Sequence, residues 1–222
     1  MQLPNHLVSL PIGVIGWLLT LTSVAWAARA APWQALRADP IRIHLVLIAI
    51  VFLVGMWSLS ATLMPGLTLH LLGVATVTLV IGLELTLIAG LIAAIASALI
   101  FGDGLAIAGW TFLLSAALPA AITYGITRVS QRLLPPNFFI YLFIGVFLSA
   151  VLGALAHGGG TALVILALGL YDVDIVWNNY LRILPLLAFP EGVINGMLMT
   201  ALALVTPQLV ISFDDHRYID GQ

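Results

Sequence analysis

Six long apolar stretches constrain this chain more than any other feature of its sequence. A helix needs about 20 mostly apolar residues to cross the hydrocarbon core of a bilayer. Only 7% of the 222 residues are charged, whereas soluble domains carry about 25%. The sequence therefore predicts a polytopic membrane protein, whose apolar stretches cover residues 7–28, 41–63, 67–101, 105–127, 138–156 and 183–205.

The third stretch is too long for one membrane-spanning helix. Its roughly 35 residues would extend about 52 Å, against a hydrocarbon core of about 30 Å. The step Gly82-Leu83-Glu84 is the natural break. We therefore predict an all-α bundle of about seven transmembrane helices, in one domain over residues 1–222. The segment from Thr161 to Tyr171 is then a continuation, a half-helix or a loop helix.

The positions of the arginines predict the orientation of this bundle. Short loops rich in arginine stay in the cytoplasm. Six of the seven basic residues fall on one predicted side, namely Arg29, Arg37, Arg42, Arg128, Arg132 and Arg217. We therefore expect the N-terminus outside and the C-terminus in the cytoplasm. The predicted location is a bacterial-type inner membrane, in contact with its lipids.

Charge and motifs exclude several classes of function. The net charge of −2 offers no basic surface for nucleic acid. No phosphate-binding GxxxxGK[ST] loop occurs, so ATP hydrolysis would need partners, and no HExxH or nucleophile-elbow motif indicates an enzyme. The chain has no cysteine. Any metal must therefore bind nitrogen, oxygen or thioether ligands.

His70 is the first candidate metal ligand. It follows the short outer loop Met64-Pro65-Gly66 and is expected about one turn inside the outer end of the third span. The predicted orientation also puts Met1 outside, so that its amine, the Gln2 backbone and His70 can meet on one membrane face. The alternative for a lone intramembrane histidine is a hydrogen-bonding structural role.

Glu191 is the costliest residue of the chain in a bilayer. It lies about nine residues, or roughly 14 Å, from the outer end of the last span, near the midplane. Asn195 follows one turn below on the same face. Two interpretations remain open. The pair is either a polar clamp that supports the site or relays the ion or a proton, or an interhelical hydrogen bond with Glu191 protonated.

Two residues in glycine-rich segments are further candidates. Asp103, in the turn Phe101-Gly102-Asp103-Gly104, is expected to cap a loop facing water outside, with direct metal contact as the alternative. His157 precedes three glycines. We expect it on an exposed outer turn, or in an entrance vestibule.

Four motifs in register resemble successive landmarks of the cobalt/nickel energy-coupling-factor permeases, the CbiM/NikM family. Their order and spacing fit most of the chain. The resemblance implies the fold of an S component and a substrate-binding membrane component. Such a component takes up a divalent transition-metal ion with a transmembrane coupling protein and ATPase subunits, and has no permanently bound cofactor. The motifs are Met1-Gln2-Leu3-Pro4, His70-Leu71-Leu72-Gly73, Phe101-Gly102-Asp103-Gly104 with Gly109, and Glu191-Gly192-Val193-Ile194-Asn195.

The resemblance also implies a ligand set, from which this chain departs. In the family, the N-terminal amine, the backbone nitrogen and imidazole of a histidine at position two, and the imidazole of the HLLG-type motif hold the ion. Met1 and His70 carry over, but Gln2 supplies no imidazole. His6 is the candidate replacement, with an interfacial histidine as the alternative. Met64 would add a thioether and favour copper, so nickel, cobalt and copper all stay open.

Two other functions stay open. A membrane-embedded metallation or assembly factor would keep the fold and associate with one metalloenzyme but no ATPase. A metal-independent carrier of a small organic substrate stays open because related S-component folds bind vitamins. An apolar cavity without a metal would favour it.

Overall fold

The computed structural model describes residues 10–102 and 104–214. Over these residues it is a helical bundle with one small β-hairpin. In chain order, the elements are α1 (Leu10–Ala30), α2 (Trp33–Ala38), α3 (Pro40–Ser58), β1 (Ser60–Met64), β2 (Leu67–His70), α4 (Val74–Ile81), α5 (Leu83–Phe101), α6 (Leu105–Phe112), α7 (Leu118–Leu133), α8 (Phe138–Ile140), α9 (Ser149–Ala167), α10 (Val173–Asn179) and α11 (Leu184–Val205).

In the part of the chain that the structure describes, six helices are long and apolar enough to cross a membrane. Three of them are α1, α3 and α5. The other three are composites, in which short π- or 3₁₀-helical segments join α6 to α7, α8 to α9 and α10 to α11. Many large apolar side chains lie on the outside of the bundle, as a lipid environment requires. The predicted all-α polytopic membrane bundle is confirmed.

The long third stretch folds only partly as predicted. The break at Gly82 is present, because α4 ends at Ile81, α5 begins at Leu83 and Gly82 has φ +88°. The residues before α4, however, form an antiparallel β-hairpin in which Ser60 pairs with His70. The described residues therefore form six long helices where about seven were expected. The hairpin is tolerated because its strands pair with each other and β2 is largely buried in protein.

Helix α4 ends at the same end of the bundle as the arginine-rich end of α7. The backbone amides of Ile211 and Ser212 donate to the carbonyls of Val80 and Leu79, at 3.2 and 3.1 Å. Gln131, at the end of α7, donates to the carbonyl of Ser212 at 3.0 Å. Three segments therefore lie together, namely the C-terminal ends of α4 and α7 and the segment after α11. The predicted alternation of inner and outer loops along the chain requires this arrangement.

Helices α1 and α6 pack so closely that their backbones are in contact. A Cβ added to Gly109 would lie 2.8 Å from the carbonyl carbon of Gly16. Thr20 donates to the Gly109 carbonyl at 3.0 Å, and the Trp110 indole donates to the Ile12 carbonyl at 2.9 Å. Helix association in lipid depends on such close packing and on hydrogen bonds between helices.

Gly109→Ala is expected to lower stability by about 1 to 3 kcal/mol, because α1 and α6 must separate to admit the methyl group. Gly125→Ala in α7 is the matched control, since an added Cβ there meets nothing within 4 Å. It should be neutral, or stabilising by up to about 1 kcal/mol through helix propensity. Thermal unfolding in detergent micelles measures both. Equal midpoints for the two variants would contradict a packing role for Gly109.

Candidate metal site

The described residues include four of the eight residues predicted for the site, and the other four lie outside them. Met64, His70, Glu191 and Asn195 are described, whereas Met1, Gln2, His6 and Asp103 are not. The roles of the latter four stay predictions.

His70 is the last residue of β2 and is buried, with 7% of its surface exposed. Its pairing with Ser60 places it on the hairpin, not one turn into a helix as expected. The Trp57 ring lies beside it, with the two ring centroids 6.0 Å apart. The hairpin therefore carries this imidazole into the interior of the bundle.

The segment after His70 turns sharply from β2 into α4. Gly73 has φ +66°, a left-handed conformation that favours glycine, and an added Cβ would lie 2.6 Å from Cε1 of Phe52. The Trp57 indole donates to the carbonyl of Leu72 at 3.1 Å. Space and conformation thus both restrict position 73, three residues beyond His70.

Glu191 binds this same segment from the last span. Its Oε2 accepts from the Leu72 amide and its Oε1 from the Gly73 amide, both at 2.8 Å. The side chain is only 2% exposed. The two amides lie at the N-terminal end of α4, where the helix dipole favours negative charge. Glu191 therefore connects α11 to the turn after His70 through both of its side-chain oxygens.

Asn195 completes the connection between α11 and α4. Its Oδ1 accepts from the amide of Thr76 at 2.9 Å and from its hydroxyl at 2.7 Å. Its Nδ2 donates to Oε1 of Glu191 at 2.8 Å and to the Glu191 carbonyl at 2.7 Å. Asn195 therefore orients the Glu191 carboxylate while holding the first turn of α4.

Met64 is not brought to His70. It pairs with Leu67 near the hairpin turn. His70 lies three residues further along β2, about 10 Å away along the strand. Met64 instead packs against the apolar cluster that contains Ile165 and Tyr180. The described contacts therefore give no support to its predicted role as a thioether ligand.

His157 lies in a helix, not where its sequence context predicted. It was expected on an exposed outer turn or in an entrance vestibule. The exposed turn is wrong, because α9 continues through the three glycines and His157 is only 4% exposed. Close packing accounts for the difference, since a Cβ on Gly158 would lie 2.5 Å from Cδ2 of Leu184. The ring centroids of His157 and His70 are 5.0 Å apart, in an edge-to-face arrangement.

The surroundings of His70 favour its neutral form. His70 lies in the hairpin, outside the six long helices of the described residues. Burial lowers the pKa of its imidazole well below the ordinary value, and the neighbouring His157 lowers it further. A neutral imidazole keeps the lone pair that a metal ion needs.

Among residues 10–102 and 104–214, no group of three or more histidine, aspartate or glutamate side chains is placed to hold a metal ion. Two imidazoles meet there, those of His70 and His157. A complete metal centre at this place therefore needs donors in addition to these two side chains.

One protein family matches nearly the whole chain. The CbiM family model, described as the cobalt uptake substrate-specific transmembrane region, matches residues 2–209. The chain belongs to the CbiM family. Membership makes it a multi-pass membrane component of cobalt-type uptake, with a transition-metal ion as its substrate, and places it among transport components and not among enzymes.

Two solved structures share the fold of this CbiM-family chain. A crystal structure of a transition metal transporter has a TM-score of 0.76 and 19% identity, over 92% of this chain and 93% of that one. A truncated transition metal transporter has a TM-score of 0.70 and 19% identity, over 92% of this chain and 99% of the other. A comparison with curated protein sequences found no match.

Proposed function

We propose that this CbiM-family chain is the substrate-binding component of an energy-coupling-factor transporter. It captures a divalent transition-metal ion on the outer side of the membrane and passes it inward, together with a transmembrane coupling protein and ATPase subunits. The observation that carries the proposal is the buried His70 imidazole, next to a segment that Glu191 holds through two backbone amides. Ionisable residues inside a bilayer are costly and commonly mark functional sites, which supports the proposal.

The proposed ligands of the ion are the Met1 amine, the Gln2 backbone nitrogen and the His70 imidazole, with His6 as a further donor. Nitrogen ligands suit the later divalent ions of the first transition series. Cobalt and nickel are therefore the proposed substrates. Asp103 is proposed to cap its glycine turn on the outer side.

The proposed orientation keeps the arginine-rich loops in the cytoplasm and the N-terminus outside, with residues 1–222 as one transmembrane domain in a bacterial-type inner membrane. The hydrogen bonds of Ser212 support this orientation. They bring the ends of α4 and α7 to the segment after α11, so that all three lie at one end of the bundle. Arg128 and Arg132 lie in the last turns of α7.

The clamp also suggests how the ion is released. Glu191 and Asn195 lie on α11, whereas His70 and its following turn lead into α4. A shift of α11 against α4 would break the bonds to Leu72, Gly73 and Thr76. Such a shift would displace His70 and dismantle the ligand set.

The test is metal binding by detergent-purified protein with a free N-terminus, measured by metal analysis and titration calorimetry with Co²⁺, Ni²⁺, Cu²⁺ and Zn²⁺. One ion per chain is expected. A variant with a few extra N-terminal residues is expected to lose binding, because its first amine no longer lies beside the site. Absence of binding to the unextended protein would overturn the proposal.

Copurification tests the transport assembly separately. Association with an ATPase complex is expected. Association with one metalloenzyme and no ATPase would favour a metallation factor instead.

A further inference from the structure

We infer that His157 is a direct ligand of the ion that His70 binds, and that it supplies the imidazole missing from position two, where the chain has Gln2. This inference rests on the proposed function. It concerns a residue on α9, far from the N-terminus in sequence, that the structure brings to His70.

The distance between the two rings suits one shared ion. A first-row metal ion lies about 2 Å from an imidazole nitrogen, and therefore about 3 Å from the ring centroid. Two imidazoles bound to one ion at roughly 90 to 110° then have centroids about 4.5 to 5 Å apart. The centroids of His70 and His157 are 5.0 Å apart, with an angle of 63° between the ring planes.

The hydrogen bonds of His157 use Nδ1 and leave Nε2 available to bind a metal ion. Its Nδ1 lies 3.1 Å from the carbonyl oxygen of Leu114 and 3.4 Å from the hydroxyl of Ser115. A carbonyl oxygen can only accept, so Nδ1 carries the hydrogen and Nε2 the lone pair. Metal-binding histidines commonly donate their other ring N–H to a carbonyl in this way. Nδ1 of His70 also faces a carbonyl, that of Leu71, at 3.3 Å.

The position of His157 is well determined by its neighbours. Thr161 donates to its carbonyl at 2.9 Å, and Leu184 fills the space next to Gly158. The imidazole therefore projects from a packed helix instead of a loop, as a preorganised ligand requires.

His157→Cys loaded with Co²⁺ gives a direct test. The chain has no cysteine, so a cobalt–thiolate charge-transfer band in this variant can arise only from residue 157. We expect the band in His157→Cys. We expect none in the matched control Ser115→Cys, because Ser115 lies beside Nδ1 on the side of the ring away from the free nitrogen.

His157→Asn separates a ligand from a structural histidine. The asparagine amide can still donate to Leu114 in place of Nδ1, but it offers no donor atom at the position of Nε2. Loss of a group that merely supports a ligand weakens metal affinity about 10- to 100-fold. We therefore expect the Kd for Co²⁺ to rise by at least about 100-fold in His157→Asn, with the unfolding midpoint nearly unchanged.

Pulsed EPR of Cu²⁺-loaded protein requires no change at position 157. In a His6→Ala background, two imidazoles coupled to the copper are expected, those of His70 and His157. One coupled imidazole would overturn the inference.

The outcomes separate a failure of this inference from a failure of the proposed function. If the unchanged protein binds no metal, the proposed function fails and the inference with it. If it binds metal but His157→Asn keeps its Kd and His157→Cys shows no thiolate band, the inference fails and the proposed function stands.

Discussion

His70→Ala is expected to abolish stoichiometric binding of Co²⁺ or Ni²⁺, with Kd rising by more than about 100-fold. His70 is buried in the bundle, and its place on β2 follows from the pairing with Ser60. Alanine leaves the hairpin hydrogen bonds intact, because they belong to the backbone. The loss should therefore appear in titration calorimetry and metal analysis, without loss of the fold.

His44→Ala is the matched control for His70→Ala. His44 lies in α3 and is exposed, with its Nδ1 2.8 Å from the carbonyl oxygen of Pro40. It belongs to the end of the chain's second span that carries Arg42, opposite to the hairpin. Its removal should leave metal binding unchanged. Wild-type binding by His70→Ala would show that the ion lies elsewhere.

Glu191→Gln is expected to weaken metal affinity about 10- to 100-fold and to lower stability by about 1 to 3 kcal/mol. The carboxylate accepts from the amides of Leu72 and Gly73 with its two oxygens. A carboxamide has only one acceptor oxygen, so its nitrogen would face a backbone N–H and leave a buried donor without an acceptor. The turn after His70 would then lose one of its two anchors to α11.

Two measurements on Glu191→Gln decide its role, namely thermal unfolding in detergent and the Kd for Co²⁺. Glu84→Gln is the matched control, because Glu84 lies in the first turn of α5, outside the network of Asn195 and Thr76. It should change neither quantity. A lower unfolding midpoint with an unchanged Kd would assign Glu191 to folding alone and not to positioning His70.

Much of the fold could be predicted from local sequence. Runs of about 20 apolar residues are sufficient to predict membrane helices. A single segment in lipid can make all of its backbone hydrogen bonds only as a helix. The break at Gly82 was likewise predictable, since one helix could not hold the whole run. The hairpin was not predicted, although the residues on either side of Pro65-Gly66 alternate between polar and apolar, as in Leu67-Thr68-Leu69-His70. It was missed because the high hydropathy of the whole run favoured a membrane helix.

The candidate site was predictable only in part. The cost of burying a carboxylate shows that Glu191 needs a partner inside the bundle. The sequence does not show which partner, because the donors are the backbone amides of Leu72 and Gly73, and every residue except proline has such a donor.

The sequence by itself determined that this protein is a membrane bundle and that it belongs with the cobalt uptake components, and it predicted His70 as a ligand. Only the tertiary structure decided that His157 meets His70 and that Glu191 binds the turn after His70. Hydropathy and motifs act over neighbouring residues, whereas these contacts join distant segments of the chain. Their geometry depends on how closely the helices pack, which no local pattern encodes.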